Sequence, residues 1–189
     1  MGVCVQQMVD ADSAGVMFSR DPINGNPKHI LITSNFGLGE VFIFKIMSCK
    51  SKFLQILNYF KNFCMQAVVS AQVDPDTIVV ERSASNSISI KTFKIGKKLQ
   101  KVSMQEDENG NYGTKFTNVL AEESSKLSLS QEIILKLAEI AVFLDQLYNA
   151  PRDIEWAVSQ NQFYLLQCRP VTALDNWTDF ELTHELGKF

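Results

Sequence analysis

The chain has 189 residues, 46% of them apolar and 21% charged, which is enough to bury a core and argues against disorder. Its formal charge of −3 argues against a nucleic-acid surface, which carries a basic patch, and no apolar run approaches the ~18 residues needed to cross a bilayer. Residues 1–20 lack a basic and apolar leader, and Cys4, Cys49, Cys64 and Cys168 form no CxxC pair, so neither a zinc site nor a disulfide framework is expected. The expectation is a soluble cytoplasmic domain without nucleic-acid or membrane partners.

In chain order, VCVQQMV (3–9) and GVMFS (15–19) read as two strands joined as a hairpin. Asp21-Pro22 and Asn24-Gly25-Asn26-Pro27 mark a loop, and HILITS (29–34) is a strand running into the turn-rich NFGLGE (35–40). TIVVER (77–82) and SISIKTF (87–93) are strands around a serine-rich turn, and the polar stretch 97–115 is a surface loop or a short hairpin. A helix starts near Ser128, where Ser128 and Gln131 fit a capping box. It carries Ile133, Leu137, Ile140, Leu144 and Leu147 at helical spacing and stops before Pro151. DIEWAV (153–158) and FYLLQCR (163–169) form a last hairpin around SQNQ, followed by a polar, acidic tail. The fold class expected is α+β: an antiparallel sheet with flanking helices.

Glu155, Gln167 and Arg169 interrupt the apolar pattern of the last hairpin. Gln167 and Arg169 are two apart and share a strand face. A hairpin centred on Asn161 places Glu155 directly opposite Gln167, with Cβ atoms ~5 Å apart. Carboxylate and amide oxygens at that separation can share a hard cation such as Mg²⁺, and a guanidinium one step along can grip a phosphate with two hydrogen bonds. The bland alternative is a solvated strand face with a cross-strand Glu–Arg pair. Gly37-Leu38-Gly39-Glu40 is neither a Walker A motif nor a full GxGxxG, so a turn before a helix outweighs a phosphate loop. Gln6 and Gln7 read as edge polar residues or as ligand contacts. His29 and His184 have no nucleophile pattern beside them, and Trp156, opposite in face to Glu155, reads as core.

VQQMVDADSAGVMFSRDPINGNP, ILITSNFGLGE and RDIEWAVSQNQFYLLQCRPVT closely resemble the ATP-grasp nucleotide-binding domain of the phosphoenolpyruvate synthase, pyruvate phosphate dikinase and rifampicin phosphotransferase family. The final WTDFELTHEL resembles the segment that follows this domain in animal phosphoenolpyruvate synthase-like proteins. The resemblance implies that Glu155 and Gln167 ligate Mg²⁺–ATP, that Arg169 contacts phosphate as the catalytic residue, and that Gln6 contacts the nucleotide; Arg20 and Glu40 match family-typical positions without a firm role. It also implies a dikinase-type kinase reaction. The ATP β-phosphate passes to a histidine on another domain, AMP and phosphate are released, and the group moves on to an acceptor such as pyruvate. The implied organisation is the C-terminal part of an ATP-grasp domain over 1–172, interrupted at 41–66, and a linker over 173–189. The N-terminal ATP-grasp subdomain and the phosphohistidine domain are expected outside this chain, which alone is expected to be inactive. The alternative is a truncated, non-catalytic fragment that binds nucleotide or protein. An ATP-grasp carboxylate–amine ligase fits the DIEW and LQCRPVT motifs less well.

Residues 41–66 stand apart. They hold four lysines and five phenylalanines, while all 21 acidic residues lie outside them. Removing them joins Glu40 to Ala67 and yields GLGEAVVSAQVDPD, which resembles the uninterrupted family pattern. Fifteen of the 26 residues are Phe, Ile, Lys, Asn or Tyr, whose codons are A/T-rich, which favours a retained intron over a true inserted segment with a basic face.

Overall fold

A computed structural model describes residues 3, 5–22, 25–38, 74–83, 87–110 and 112–171. The 41–66 block, Glu40, Cys4, Cys49, Cys64 and the 173–189 segment lie outside the described residues.

The elements are β1 (Ser13–Phe18), β2 (His29–Phe36), β3 (Asp76–Arg82), β4 (Ile88–Lys94), β5 (Gln100–Glu106), β6 (Tyr112–Asn118), the one-turn helix α1 (Ala121–Ser124), the long helix α2 (Gln131–Tyr148), β7 (Arg152–Ser159) and β8 (Gln162–Pro170). Six strands form one antiparallel sheet in the order β4-β3-β2-β1-β7-β8, and β5 and β6 pair separately. This is the expected α+β class, an antiparallel sheet with helices.

Alternation sorts the two faces. Met17, Ile32, Ile78, Ile154 and Trp156 are fully buried and pack with Ile134, Leu137, Ala138 and Ala141 of α2 in one core. On the opposite face Ala14, Ala157, Leu38 and Val102 form a smaller cluster, edged by Tyr164 and Leu166. The β5–β6 hairpin closes over this second face, because Leu38 donates its N–H to Val102 O (2.8 Å) and Gly37, at φ +71°, bridges the same residue. A β-carbon at Gly37 would stand 2.1 Å from Val102 O, so glycine is required where the hairpin meets β2. The Gly37-Leu38 stretch is thus a β-bridge rather than a phosphate loop.

Several expectations need correction. Residues 3–9 form no strand among the described residues. β1 is already flanked by β2 and β7, which leaves no edge for a hairpin partner, and Val3 and Val5 stand 81% and 92% exposed. The N-cap of α2 is Ser130, whose Oγ accepts from Ile133 N–H (3.3 Å), not Ser128. Ser128 is drawn away because its N–H and Oγ both donate to Asp76 Oδ2 (2.7 and 2.8 Å). Of the expected stripe of α2, Leu137 and Leu144 are buried and Ile133 and Ile140 half-buried, whereas Leu147, in the last turn, is 61% exposed. The polar stretch 97–115 resolves to the hairpin alternative.

Two buried ionic groups pin the layers. Arg20 donates from Nε and Nη2 to the two carboxylate oxygens of Asp145 on α2 (both 2.9 Å), and Ser19 Oγ donates to the same group (2.8 Å). Arg20, left without a role by its motif, therefore ties the end of β1 to the helix. Lys98 and Asp76, both fully buried, pair beneath the β5–β6 hairpin, where Asp76 also accepts from Gly96 N–H.

Candidate nucleotide site

The last hairpin turns at Gln160 and Asn161, both with positive φ (51° and 63°), the two-residue geometry whose twist suits paired strands. From this turn Ser159 pairs with Gln162 and Trp156 with Leu165, yet Glu155 pairs with Gln167. Leu166 is therefore an extra residue, a β-bulge. The consequence is functional in its geometry. Without the bulge, alternation would place Gln167 and Arg169 on the α2 side with Phe163, which packs there. With it, Leu166, Gln167 and Arg169 share the face opposite α2 with Asp153 and Glu155.

On that face Gln167 Nε2 lies 3.5 Å from Glu155 Oε1. Arg169 Nε donates to Asp153 Oδ2 at 2.8 Å, so the cross-strand ion pair involves Asp153 rather than Glu155. Asp153 was missed in the sequence, although DIE places it two residues from Glu155 and hence on its face. Its side chain is 12% exposed, and its buried Oδ1 has no hydrogen-bond partner within the protein. Burial raises the pKa of Asp153 against the opposing pull of Arg169. Burial also raises that of Glu155, with Arg169 lowering it and Asp153 adding to the rise. Two half-buried carboxylates held close, one with an open oxygen, are under-compensated in negative charge, which is what a cation relieves.

A cleft of about 270 Å³ opens beside Glu155. Its lining includes Gln6, Gln7, Met8, Val9, Val16, Leu38, Ala157 and Leu166. Gln6 and Glu155 thus reach one cavity, with Gln167 and Arg169 next to it on β8. The floor depends on Gly15: a β-carbon there would meet Thr33 O at 1.9 Å and Trp156 Cζ2 at 2.9 Å, so glycine admits the Trp156 ring beneath β1. Among the described residues, no three His, Cys, Asp or Glu side chains gather as a metal cluster, and no helix is long and apolar enough to cross a membrane.

Residues 1–45 and 65–185 match the sequence model of the pyruvate phosphate dikinase AMP/ATP-binding domain. The chain belongs to this family. It is an ATP-binding domain of the phosphoenolpyruvate synthase and pyruvate phosphate dikinase type. Among relatives, the "Uncharacterized phosphotransferase YvkC" of Bacillus subtilis is 32% identical over 93% of the chain, and the "Probable phosphoenolpyruvate synthase" of Methanocaldococcus jannaschii is 32% identical over 92%. The rifampicin phosphotransferase of Bacillus subtilis is 28% identical over 92%. The chain spans only 12% to 17% of the length of these three proteins. The family match is interrupted at 46–64, inside the basic, phenylalanine-rich block.

Proposed function

We propose that the β7–β8 face holds the metal–phosphate end of ATP and that the adjoining cleft takes its base. Glu155 and Gln167 are the metal ligands, Arg169 the phosphate contact and catalytic residue, and Gln6 a contact to the nucleotide. The observation that carries this reading is the pairing of Glu155 with Gln167 beside Asp153, whose buried carboxylate oxygen lacks a partner. A Gln167 amide turned over presents its oxygen beside that of Glu155, and the two then offer a hard cation the oxygen ligands it prefers. Mg²⁺ bound there supplies neutralisation of the phosphate charge. Asp153 holds the Arg169 guanidinium by Nε, leaving its Nη atoms to meet phosphate. The cleft is smaller than the ~300–1,000 Å³ of a complete small-molecule site, which fits a chain that supplies one wall.

The activity proposed for the whole protein is transfer of the ATP β-phosphate to a histidine on another domain and then to an acceptor such as pyruvate. Positioning and charge neutralisation account for most of such catalysis. The family resemblance and the relatives' names support this reading, and the acceptor is not assigned. The break in the family match at 46–64 supports treating 41–66 as added to the domain, as a retained intron. RNA reads joining the Glu40 and Ala67 codons are expected, and abundant protein yielding peptides from 41–66 would refute it. For the site, titration of Mg–ATP into this chain should show affinity weaker than micromolar; micromolar affinity would contradict the one-wall reading.

A further inference from the structure

The carboxylate of Asp76, at the start of β3, is fully buried. Its Oδ1 accepts from the Gly96 N–H (2.9 Å) and from the Lys98 ammonium, and its Oδ2 accepts from the N–H and Oγ of Ser128 (2.7 and 2.8 Å). An ionised carboxylate has about four acceptor positions, so this one is saturated. It joins β3 to the stretch that leads into β5 and to the segment that leads into α2. Lys98 is itself fully buried at φ +34°, a backbone region that strains any residue with a side chain. Its N–H donates to Asp74 O (3.3 Å) and its Nζ to Gly96 O (3.1 Å). A β-carbon at Gly96 would stand 1.8 Å from Asp74 O, so glycine is required for this close approach.

The stretch so anchored is the root of the β5–β6 hairpin, and the hairpin reaches the cleft. Four residues past Lys98, Val102 is fully buried and its O accepts from Leu38 N–H (2.8 Å), with Gly37 bridged to the same residue. Leu38 lines the cleft together with Val16 and Glu155. β5 and β6 pair as a sheet of their own, so the setting of the hairpin against the large sheet depends on these attachments at Asp76 and Leu38. A buried ion pair adds little stability over a well-packed apolar pair of the same volume. The Asp76–Lys98 pair is better accounted for by the geometry it fixes.

We infer, taking this cleft as the nucleotide site proposed above, that Asp76 and Lys98 are positioning residues for ATP. By fixing the root of the hairpin they fix, through Val102, the Leu38 wall of the cleft. The test uses the complete protein that carries this domain. Asp76→Asn/Lys98→Met removes both charges at nearly constant volume, so neither is left buried alone. In this variant the Leu38 amide should exchange its hydrogen severalfold faster while the β1–β2 ladder keeps its protection, and KM for ATP should rise severalfold with kcat little changed. In the unsubstituted protein, Mg–ATP should slow exchange at Leu38. A Leu38 amide that stays protected in the double variant would overturn the inference, as would a loosened Leu38 with KM unchanged. If the double variant does not fold, the unsubstituted protein still decides, because bound Mg–ATP that leaves Leu38 exchange unchanged would overturn the inference equally. An unsubstituted protein that forms no AMP from ATP would overturn the reading of the cleft and the inference with it, while exchange in the nucleotide-free variant separately shows whether the pair holds the hairpin.

Discussion

Glu155 and Gln167 face each other across the β7–β8 ladder because Leu166 is an extra residue in β8. The turn at Gln160-Asn161 alone would set Glu155 against Leu166. Deleting Leu166 should therefore remove the bulge while keeping Gln167 opposite Glu155 and Arg169 opposite Asp153, on the face away from α2. The expected outcome is a cooperatively melting variant that keeps Mg–ATP binding; a folded variant that has lost binding would contradict the claim that the Glu155–Gln167 register is what positions the site.

Charge at Glu155 should set the pH dependence. Burial raises its pKa above the ordinary value of 4.5, so the folded state holds the proton more tightly than the unfolded one. The apo protein accordingly loses this contribution as pH climbs from the ordinary glutamate range through the raised value. Glu155→Gln lacks the titration, so its melting temperature should gain on the unsubstituted protein across that window and keep the advantage above it. Under the proposed metal-ligand role of Glu155, Mg–ATP binding should strengthen over the same rise in pH and be lost in the variant. Thermal melts from pH 4 upward, with and without Mg–ATP, check both signs.

Asp153 acts through Arg169. Asp153→Ala should free the guanidinium and raise KM for ATP more than it lowers kcat, while Asp153→Asn, which retains an oxygen for Arg169 Nε, should recover part of the loss. Steady-state kinetics on the protein carrying this domain separate the two; equal effects of both variants would argue that the negative charge itself matters.

The Arg20–Asp145 pair is buried on both sides, so removing one partner strands the other. Arg20→Ala should cost about 3–5 kcal/mol, read by urea melts, with Mg–ATP binding intact at low temperature. Gly15→Ala should cost at least ~1–3 kcal/mol through overpacking and also weaken nucleotide binding, because it displaces Trp156 under the cleft.

The strands of the large sheet were legible in the sequence because their alternation is strong, and so was the Glu155–Gln167 pairing. That pairing was reached through a turn centred on Asn161, whereas the protein reaches it through a turn shifted by one residue and a one-residue bulge that restores the register, a compensation that alternation alone does not reveal. The strand expected at 3–9 has the right composition but no free edge at β1, a fact of topology rather than of local pattern. Ser128 and Ser130 are equally good caps by type; the buried Asp76 decides between them. Lys98 is one of several lysines in a polar run, and its full burial follows from Asp76 beneath the hairpin. Asp153 is the omission that a local rule would have prevented, since it lies two residues from Glu155 on the same strand.

The central claim is that Glu155 and Arg169 form the metal–phosphate end of an ATP site. Its most direct test is AMP release and histidine phosphorylation by the complete protein that carries this domain, compared with its Glu155→Ala and Arg169→Ala variants. Both variants are expected to abolish phosphohistidine formation while remaining folded; AMP production unchanged in both would contradict the claim.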